Sequence, residues 1–174
     1  LKVFRQRRVD GLIATVSRED DPMLLGQLSE LSMPVVVLQR TPGMPVDHVV
    51  TDHYTGVYDA AKHLLSLGHK RIGLMTGTQA VLPGRLRGQA FIDAHQEAGV
   101  PMDESLMSFI GYSASNAQRV AYAILSSENP PTAIIAGANQ LIGVLRAAKM
   151  LKISVPDGLS LISLGDTNLN ELHD

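Results

Sequence analysis

The chain has 174 residues, of which 45% are hydrophobic, and its 15 lysines and arginines stand against 17 acidic residues, which gives a formal net charge of -2. The apolar content excludes intrinsic disorder, and the length allows either one compact unit or two half-size lobes. The charge lacks the basic excess that phosphate neutralisation requires, so we do not expect this chain to bind nucleic acid by itself. Because the sequence has no cysteine, disulfides, thiolate zinc sites and thiol nucleophiles are excluded.

The sequence also gives no sign of a membrane segment or an export signal. No apolar run approaches the roughly 20 residues that cross a bilayer, and the first residues lack a charged head followed by an apolar core. We therefore predict a soluble, cytoplasmic protein with no membrane partner.

Apolar runs alternate with amphipathic stretches along the chain, which predicts an α/β fold. Leu1 to Arg8 has helical spacing and ends in basic residues, as a helix C-terminus does. Strands are predicted at 9–16, 34–39, 47–51, 71–76, 106–110, 133–136 and 159–164. Helices are predicted at 22–31, 53–67, 85–98, 115–126 and 139–151. The regular strand-helix alternation in the second part of the chain favours a parallel sheet there.

The connection between two early strands carries topological information. The strands at 34–39 and 47–51 are close in sequence, whereas a parallel crossover needs about a dozen residues or more. We therefore predict that they are not parallel neighbours in one sheet. Either they form an antiparallel pair, or the chain leaves one sheet there and enters a second. The second alternative places a junction at about Val50 to Asp52, with an N-terminal lobe at 1–51 and a C-terminal lobe at 52–166.

Catalytic signatures are missing from the sequence. It contains no GxGxxG, no GK[ST] phosphate loop, no GxSxG and no HExxH. The pairs His63 with His69 and His48 with His53 do not put two imidazoles on one helical face, so we predict no metal site. We expect no cofactor either.

The residues that follow the predicted strands are the natural candidates for a ligand site, because ligands of open parallel sheets bind outside the carboxyl ends of the strands. These positions are polar and hold few aromatic residues: Thr15, Val16, Ser17, Gln39, Arg40, Asp52, Thr76, Gly77, Thr78, Tyr112, Ser113, Gly137, Asn139, Gly165, Asp166 and Thr167. Hydroxyl, amide and charged groups suit a small polyhydroxyl or anionic ligand. No nucleophile is paired with a base, so we predict binding without turnover, and no enzyme.

A more specific pattern surrounds the helix at 53–67. It consists of Asp52, Gly56, His63-Leu64, the string GHKRIG at 68–73, and Gly77. This pattern resembles the effector-binding domain of lactose-repressor-type (LacI family) transcriptional regulators. The similarity covers almost the whole chain and includes VDGLI at 9–13, Arg85 with Gly88, PTA at 131–133 and VP at 155–156.

The resemblance implies a periplasmic-binding-protein-like fold of two Rossmann-like lobes with a small-molecule effector in the cleft. It also implies that the intact regulator is a repressor that binds operator DNA through a helix-turn-helix headpiece. We expect this chain to be a fragment without that headpiece, in which residues 167–174 begin the return crossover between the lobes.

The resemblance places the effector arginine of the family on Arg85, its cleft aromatic on Tyr112 and its amide ligand on Asn139. Each of these residues could instead have a purely structural role. Arg85 could start a helix at the solvated surface, Tyr112 could be a half-buried aromatic residue at a strand end, and Asn139 could cap the following helix. Together with the strand-end residues, the predicted ligand-binding set is Thr15, Gln39, Arg40, Arg85, Tyr112, Asn139 and Asp166.

Two departures from the family pattern bear on the ligand. Gly165-Asp166 stands where many members carry an Asp-Asp pair, and Gln140 rather than Asp follows Asn139. Arg40 next to Gln39 moves the charge of the cleft towards cations. The expected effector is a sugar, a sugar acid or a sugar phosphate, and the two anionic classes are favoured over a neutral sugar, since guanidinium groups bind carboxylate and phosphate bidentately.

Two other functions fit parts of the pattern. A periplasmic solute-binding protein for a sugar shares the fold but requires an upstream signal segment, and an α/β enzyme requires a base, metal or cofactor loop.

The helix at 139–151 further predicts a homodimer, because its apolar residues cover more of its circumference than one sheet face can bury. These residues are Leu141, Ile142, Val144, Leu145, Ala148, Met150 and Leu151. The resemblance implies the same interface, with 114–118 and 168–171 nearby.

Overall fold

The computed structural model describes residues 9–166, and within them it contains two parallel sheets. The strands are β1 (Leu12–Thr15), β2 (Val35–Leu38), β3 (Asp47–Val49), β4 (Ile72–Thr76), β5 (Met107–Phe109), β6 (Ala133–Gly137) and β7 (Ser160–Leu164). The helices are α1 (Pro22–Ser29), α2 (His53–Ser66), α3 (Leu82–Ala98), α4 (Ala114–Leu125) and α5 (Ala138–Leu151). The helix end predicted at 1–8 and the crossover predicted at 167–174 lie outside the described residues.

The two sheets are formed one after the other along the chain. The first has the strand order β1-β2-β3 and the second β5-β4-β6-β7, and all paired neighbours are parallel. The chain passes from β3 to α2 through Val50 to Asp52. Each sheet therefore presents the carboxyl ends of its strands at one edge.

The prediction that the second and third strands are not parallel neighbours is wrong. β2 and β3 pair in parallel register, with Val36 opposite Asp47 and Leu38 opposite Val49. The dozen-residue rule assumes strands of ordinary length, whereas these have four and three residues. The chain therefore has only about 10 Å to return. The connecting loop does so without a helix, and its Met44 and Val46 pack against the core of this sheet.

The second sheet is buried on both faces by helices. Alternate residues of β6 point to opposite sides, so Ala133 and Ile135 join the core under α2 and α3, while Ile134 and Ala136 join the core under α4 and α5. Every residue of β4 and β6 is buried. This three-layer arrangement holds the β4 and β6 ends, and the first turn of α3, in a fixed relation.

Helices α4 and α5 pack closely because a glycine lies between them. A Cβ atom added to Gly143 would lie 2.5 Å from the Ala114 carbonyl oxygen. Leu141, Val144 and Ala148 are buried, whereas Met150 is 61% exposed. The neighbouring helix thus covers much of the α5 surface that the sheet leaves open.

Candidate ligand-binding cleft

A cleft of about 590 Å³ lies at the carboxyl ends of the strands, with walls from both sheets. The first sheet contributes the segment after β2, and the junction contributes the start of α2. The second sheet contributes the first turns of α3, the residue Tyr112 after β5 and the end of β7. The lining residues are Gln39, Arg40, Thr51, Asp52, His53, Gly56, Val57, Pro83, Arg87, Tyr112, Ile162, Ser163, Leu164 and Gly165.

Arg87 of α3 presents a partly buried guanidinium group to this cleft. Its Nη1 atom donates to Thr76 Oγ1 at 3.2 Å, and its Nη2 atom lies 3.3 Å from His53 Nδ1. Burial lowers the pKa of Arg87, and no carboxylate within residues 9–166 forms an ion pair with it. Because a guanidinium group stays charged in proteins, a cation without a counter-charge faces the cleft.

His53, the first residue of α2, lies beside this cation. An arginine can only donate, so the contact with Arg87 makes Nδ1 the acceptor and leaves the proton of the neutral ring on Nε2. Nε2 is buried and has no hydrogen-bond partner in the described structure. Burial, Arg87 and Arg40 lower the pKa of His53, and the Asp52 charge opposes them.

The cleft wall from the first sheet is a tight turn after β2. Gln39 has a φ of 60°, in the left-handed region that favours glycine, and its side chain bridges to the junction. Its Nε2 donates to Thr51 Oγ1 at 2.8 Å, and its Oε1 accepts from the Thr51 amide at 3.3 Å. Arg40 follows, with Nη1 donating to the Gln39 carbonyl oxygen at 2.7 Å. The turn thus holds Arg40 at the cleft.

Tyr112 covers the end of β4. A Cβ atom added to Gly77 would lie 2.6 Å from the Tyr112 hydroxyl oxygen, so the ring occupies the space that the missing side chain leaves. The ring is half exposed and lines the cleft.

The described part of the cleft holds no cluster of metal ligands. Within residues 9–166, no group of three or more His, Cys, Asp or Glu side chains could hold a metal ion. In the same residues no helix is long and apolar enough to span a membrane.

The family model that matches residues 1–163 describes the periplasmic binding proteins and the sugar-binding domain of the LacI family. The chain belongs to this family. The predicted family and the predicted periplasmic-binding-protein-like fold are confirmed, because the family model covers nearly the whole chain and the solved structures similar to it share this α/β architecture.

The curated relatives of this LacI-family chain are transcriptional regulators. It is 37% identical over 174 residues to the HTH-type transcriptional regulator DegA of Bacillus subtilis (strain 168), covering 98% of this chain and 51% of DegA. It is 31% identical over 166 residues to the HTH-type transcriptional repressor PurR of Yersinia pestis (strain Pestoides F), covering 93% of this chain and 48% of PurR. The chain thus spans about half the length of these relatives. They are regulators rather than enzymes, in agreement with the prediction from the strand ends.

A solved structure of a regulator is also similar to this chain in its fold. The provisionally assigned transcriptional regulator LacI of Bacillus cereus subsp. cytotoxis NVH 391-98 superposes with a TM-score of 0.87 at 28% identity. The match covers 98% of this chain and 61% of that one.

Of the seven predicted ligand-binding residues of the LacI-family chain, the structure brings three into the cleft: Gln39, Arg40 and Tyr112. The other four, Thr15, Arg85, Asn139 and Asp166, are exposed and are not among the cleft residues. Asn139 does not cap α5 either, because the helix begins at Ala138 with Gly137 in the cap position. Three of the strand-end residues therefore line the candidate cleft, and the predicted ligand-binding set stays a prediction.

Arg85 is placed elsewhere because α3 begins at Leu82, three residues before the predicted start. Arg85 and Arg87 are two residues apart, so they point about 200° away from each other around the helix. Arg85 Nη2 instead lies 2.7 Å from Glu19 Oε1, and Arg85 Nη1 donates to the Gln79 carbonyl oxygen at 3.0 Å. A first-turn cation that opposes the helix dipole is thus paired with a carboxylate of the N-terminal segment.

Sequence reasoning missed Arg87, His53 and Glu19. Arg87 belongs to the same Arg-Leu-Arg string as Arg85. Pro83 was the signal that could have identified it, because proline is typical of the first helical turn and places the helix start at Leu82. His53 was weighed only as a metal ligand. Nothing in the sequence around Glu19 marks it as buried.

Proposed function

We propose that this chain is the effector-binding domain of a LacI-type transcriptional regulator, and that its effector is a small anionic molecule, a sugar acid or a sugar phosphate. The single observation that supports the anionic class is the guanidinium group of Arg87, which faces the cleft without a carboxylate partner among residues 9–166. The regulator function is supported by the curated relatives, which are HTH-type regulators. On this proposal the whole protein acts in the cytoplasm and binds operator DNA through a headpiece outside this chain.

The charges of the cleft favour an anion. Arg40 and Arg87 bring two cations to the cleft, and Glu19 Oε2 lies 3.7 Å from Arg40 Nε and partly offsets the first of them. The Asp52 carboxylate accepts the Thr55 amide at 3.0 Å and caps α2, and this hydrogen bond lowers the pKa of Asp52, so the carboxylate stays negative. Arg87 forms no ion pair within residues 9–166, so it is the cation that favours an anion. We propose Gln39, Arg40, His53, Arg87 and Tyr112 as the ligand-binding residues. They come from two lobes, at 1–51 and 52–166, whose relative angle the ligand would change.

Only a ligand with different affinities for two lobe arrangements can act as a switch. A periplasmic solute-binding protein uses the same fold, and the regulator is favoured over it because the curated relatives are HTH-type proteins. The coding sequence upstream of Leu1 distinguishes the two: a helix-turn-helix supports the regulator, and a signal peptide contradicts it.

A thermal-shift screen of the full-length protein tests the ligand class. We expect a sugar acid or sugar phosphate to raise the melting temperature, because a ligand bound only by the native state stabilises it. Neutral sugars and purines serve as the comparison sets. If only purines or neutral sugars stabilise the protein, the anionic class is wrong while the regulator function stands.

Replacing Arg87 by glutamine is expected to weaken binding of the best anionic hit about tenfold to a hundredfold, since a charge-assisted hydrogen bond contributes about 1.5 to 3 kcal/mol. Stability without ligand should change little, because the loss of the hydrogen bonds to Thr76 and His53 is offset by the removal of a partly buried cation that has no counter-charge among residues 9–166. Titration calorimetry measures the affinity. Arg119→Gln, on the exposed face of α4, is the matched control, and Arg85→Gln tests the residue that the sequence favoured. A larger loss in Arg85→Gln than in Arg87→Gln would contradict the site.

We also propose that the regulator is a homodimer that uses the outer face of α5. Ile142, Leu145 and Val155 line an apolar groove there, and Met150 lies exposed on the same helix. Two-fold symmetry suits a palindromic operator. Sedimentation of the full-length protein at micromolar concentration is expected to show a dimer, and Met150→Asp to weaken it. A monomer at that concentration would count against this interface.

A further inference from the structure

We propose that anion binding in the cleft is coupled to uptake of a proton by His53, so that the proposed effector binds more tightly as the pH falls. This inference rests on the proposed function, because it requires an anion beside Arg87. Three features of the site support it: the contact of His53 with Arg87, the position of Arg40 on the cleft wall of the first sheet, and a buried ring nitrogen without a partner in the described part of the chain.

The contact with Arg87 constrains the protonation of the ring. Neutral His53 accepts from Arg87 through Nδ1 at 3.3 Å. A second proton would have to go on Nδ1, where it would remove this hydrogen bond and place two cations in contact. The ligand-free cleft therefore disfavours the charged ring.

The charged groups that act on His53 come from three elements. Arg87 lies on α3, Arg40 lies on the turn after β2, and Asp52 is the N-cap of the histidine's own helix. The two arginines disfavour the imidazolium and Asp52 favours it. The balance is against the proton, and burial of the ring acts in the same direction.

An anion bound by Arg87 changes that balance. The anion offsets the guanidinium charge and attracts the imidazolium. Its oxygens can also accept from the Nδ1–H group, which no longer contacts Arg87 after protonation, and from the buried Nε2–H group. The pKa of His53 is then higher in the bound state than in the free state. By linkage, affinity rises as the pH falls through the bound-state pKa, and it levels off below the free-state pKa.

Sulfate is a suitable probe because its charge stays constant across the range in which histidine titrates. We expect the purified protein to bind sulfate about fivefold more tightly at about pH 5 than at about pH 8, which corresponds to about 1 kcal/mol, the interaction of two unit charges about 4 Å apart in water. His53→Asn retains an acceptor near the Nδ1 position but cannot titrate, so its sulfate affinity should not change with pH.

NMR of histidine-labelled protein gives a direct readout. The His53 resonance, assigned by its loss in His53→Asn, should show Nε2 protonation in the free protein and a titration that sulfate moves to higher pH. Sodium chloride at equal ionic strength should leave it in place, and the exposed His63 serves as the internal reference.

The outcomes separate the two proposals. If sulfate stabilises the wild type but not Arg87→Gln, and yet the titration of His53 does not move, the coupling is wrong and the anion site stands. If sulfate stabilises neither protein, or both equally, the anion site is wrong and the coupling falls with it. A shift of His63 equal to that of His53 would also overturn the coupling, because it indicates general screening.

Discussion

Replacing Glu19 by alanine is expected to lower the free energy of unfolding by about 1.5 to 3 kcal/mol. The Glu19 side chain is only 9% exposed, and its Oε1 atom accepts from the Leu82 amide at 2.6 Å and from Arg85 Nη2 at 2.7 Å. Leu82 begins α3, where a carboxylate interacts favourably with the helix dipole. Alanine would leave that amide without its acceptor. The Arg85 pair adds little, because Arg85 is about half exposed and solvent screens it.

Chemical denaturation of the purified protein measures this loss. Glu19→Gln keeps an acceptor for the Leu82 amide and should lose less stability than Glu19→Ala. Asp20→Ala is the matched control, since Asp20 is exposed and pairs only locally with Arg18. Equal stabilities of Glu19→Ala and Asp20→Ala would contradict the role of this contact.

The same substitution should act on ligand binding in the opposite direction. Glu19 Oε2 lies 3.7 Å from Arg40 Nε, so Glu19 partly offsets the charge that Arg40 brings to the cleft. Its removal makes the cleft more positive. If Glu19→Ala is less stable but binds the anion more tightly, the Glu19 contact is separate from the ligand contacts, because Arg87→Gln should weaken anion binding without a comparable loss of stability.

Replacing Phe91 by alanine is expected to cost about 3 to 5 kcal/mol, the range for a buried phenylalanine. Phe91 is fully buried in the core under α2 and α3, and its ring lies 4.4 Å from the imidazole of His95 between centroids. The cavity would lie one helical turn after Arg87 on α3. We therefore expect weaker anion binding as well, through displacement of the guanidinium group.

Denaturant titration and calorimetry of the same samples check both effects. Phe91→Leu fills most of the volume, so it should lose clearly less stability than Phe91→Ala and should keep its affinity for the anion. A stability loss below about 1 kcal/mol for Phe91→Ala would show that α3 repacks around the site, contrary to this expectation.

The fold could be predicted because its signals are local. Apolar runs such as Ala133 to Ala136 are short and flanked by turns, and the stripe of Val57, Ala61 and Leu64 has helical spacing, so each element is marked by its own residues. The pairing of β2 with β3 could not be predicted in this way. It depends on strand length and on Met44 covering the sheet, and these are properties of the packed structure.

The residues of the candidate site also differ in whether a local sequence signal predicts them. Gln39, Arg40 and Tyr112 follow strands, so the rule that ligands bind at strand ends finds them. Arg87 lies on a helix, where a shift of the helix start by a few residues changes which side chain faces the cleft, since each residue turns the helix by about 100°. His53 required knowledge of its neighbours, because only the contact with Arg87 gives the imidazole its role.

Helix α3 carries both the contact with Glu19 and the cleft arginine within its first two turns, so any tilt of the whole helix about that end would be largest at its other end. Its 17 residues extend about 25 Å, from the cleft end at Leu82 to Ala98. A tilt of about 5° about the first turn would move that end by about 2 Å. If a change of contacts at the cleft tilts the helix, the displacement would thus be measurable at its far end. A spin-label pair spanning Gln96 and a residue of the first sheet would report it.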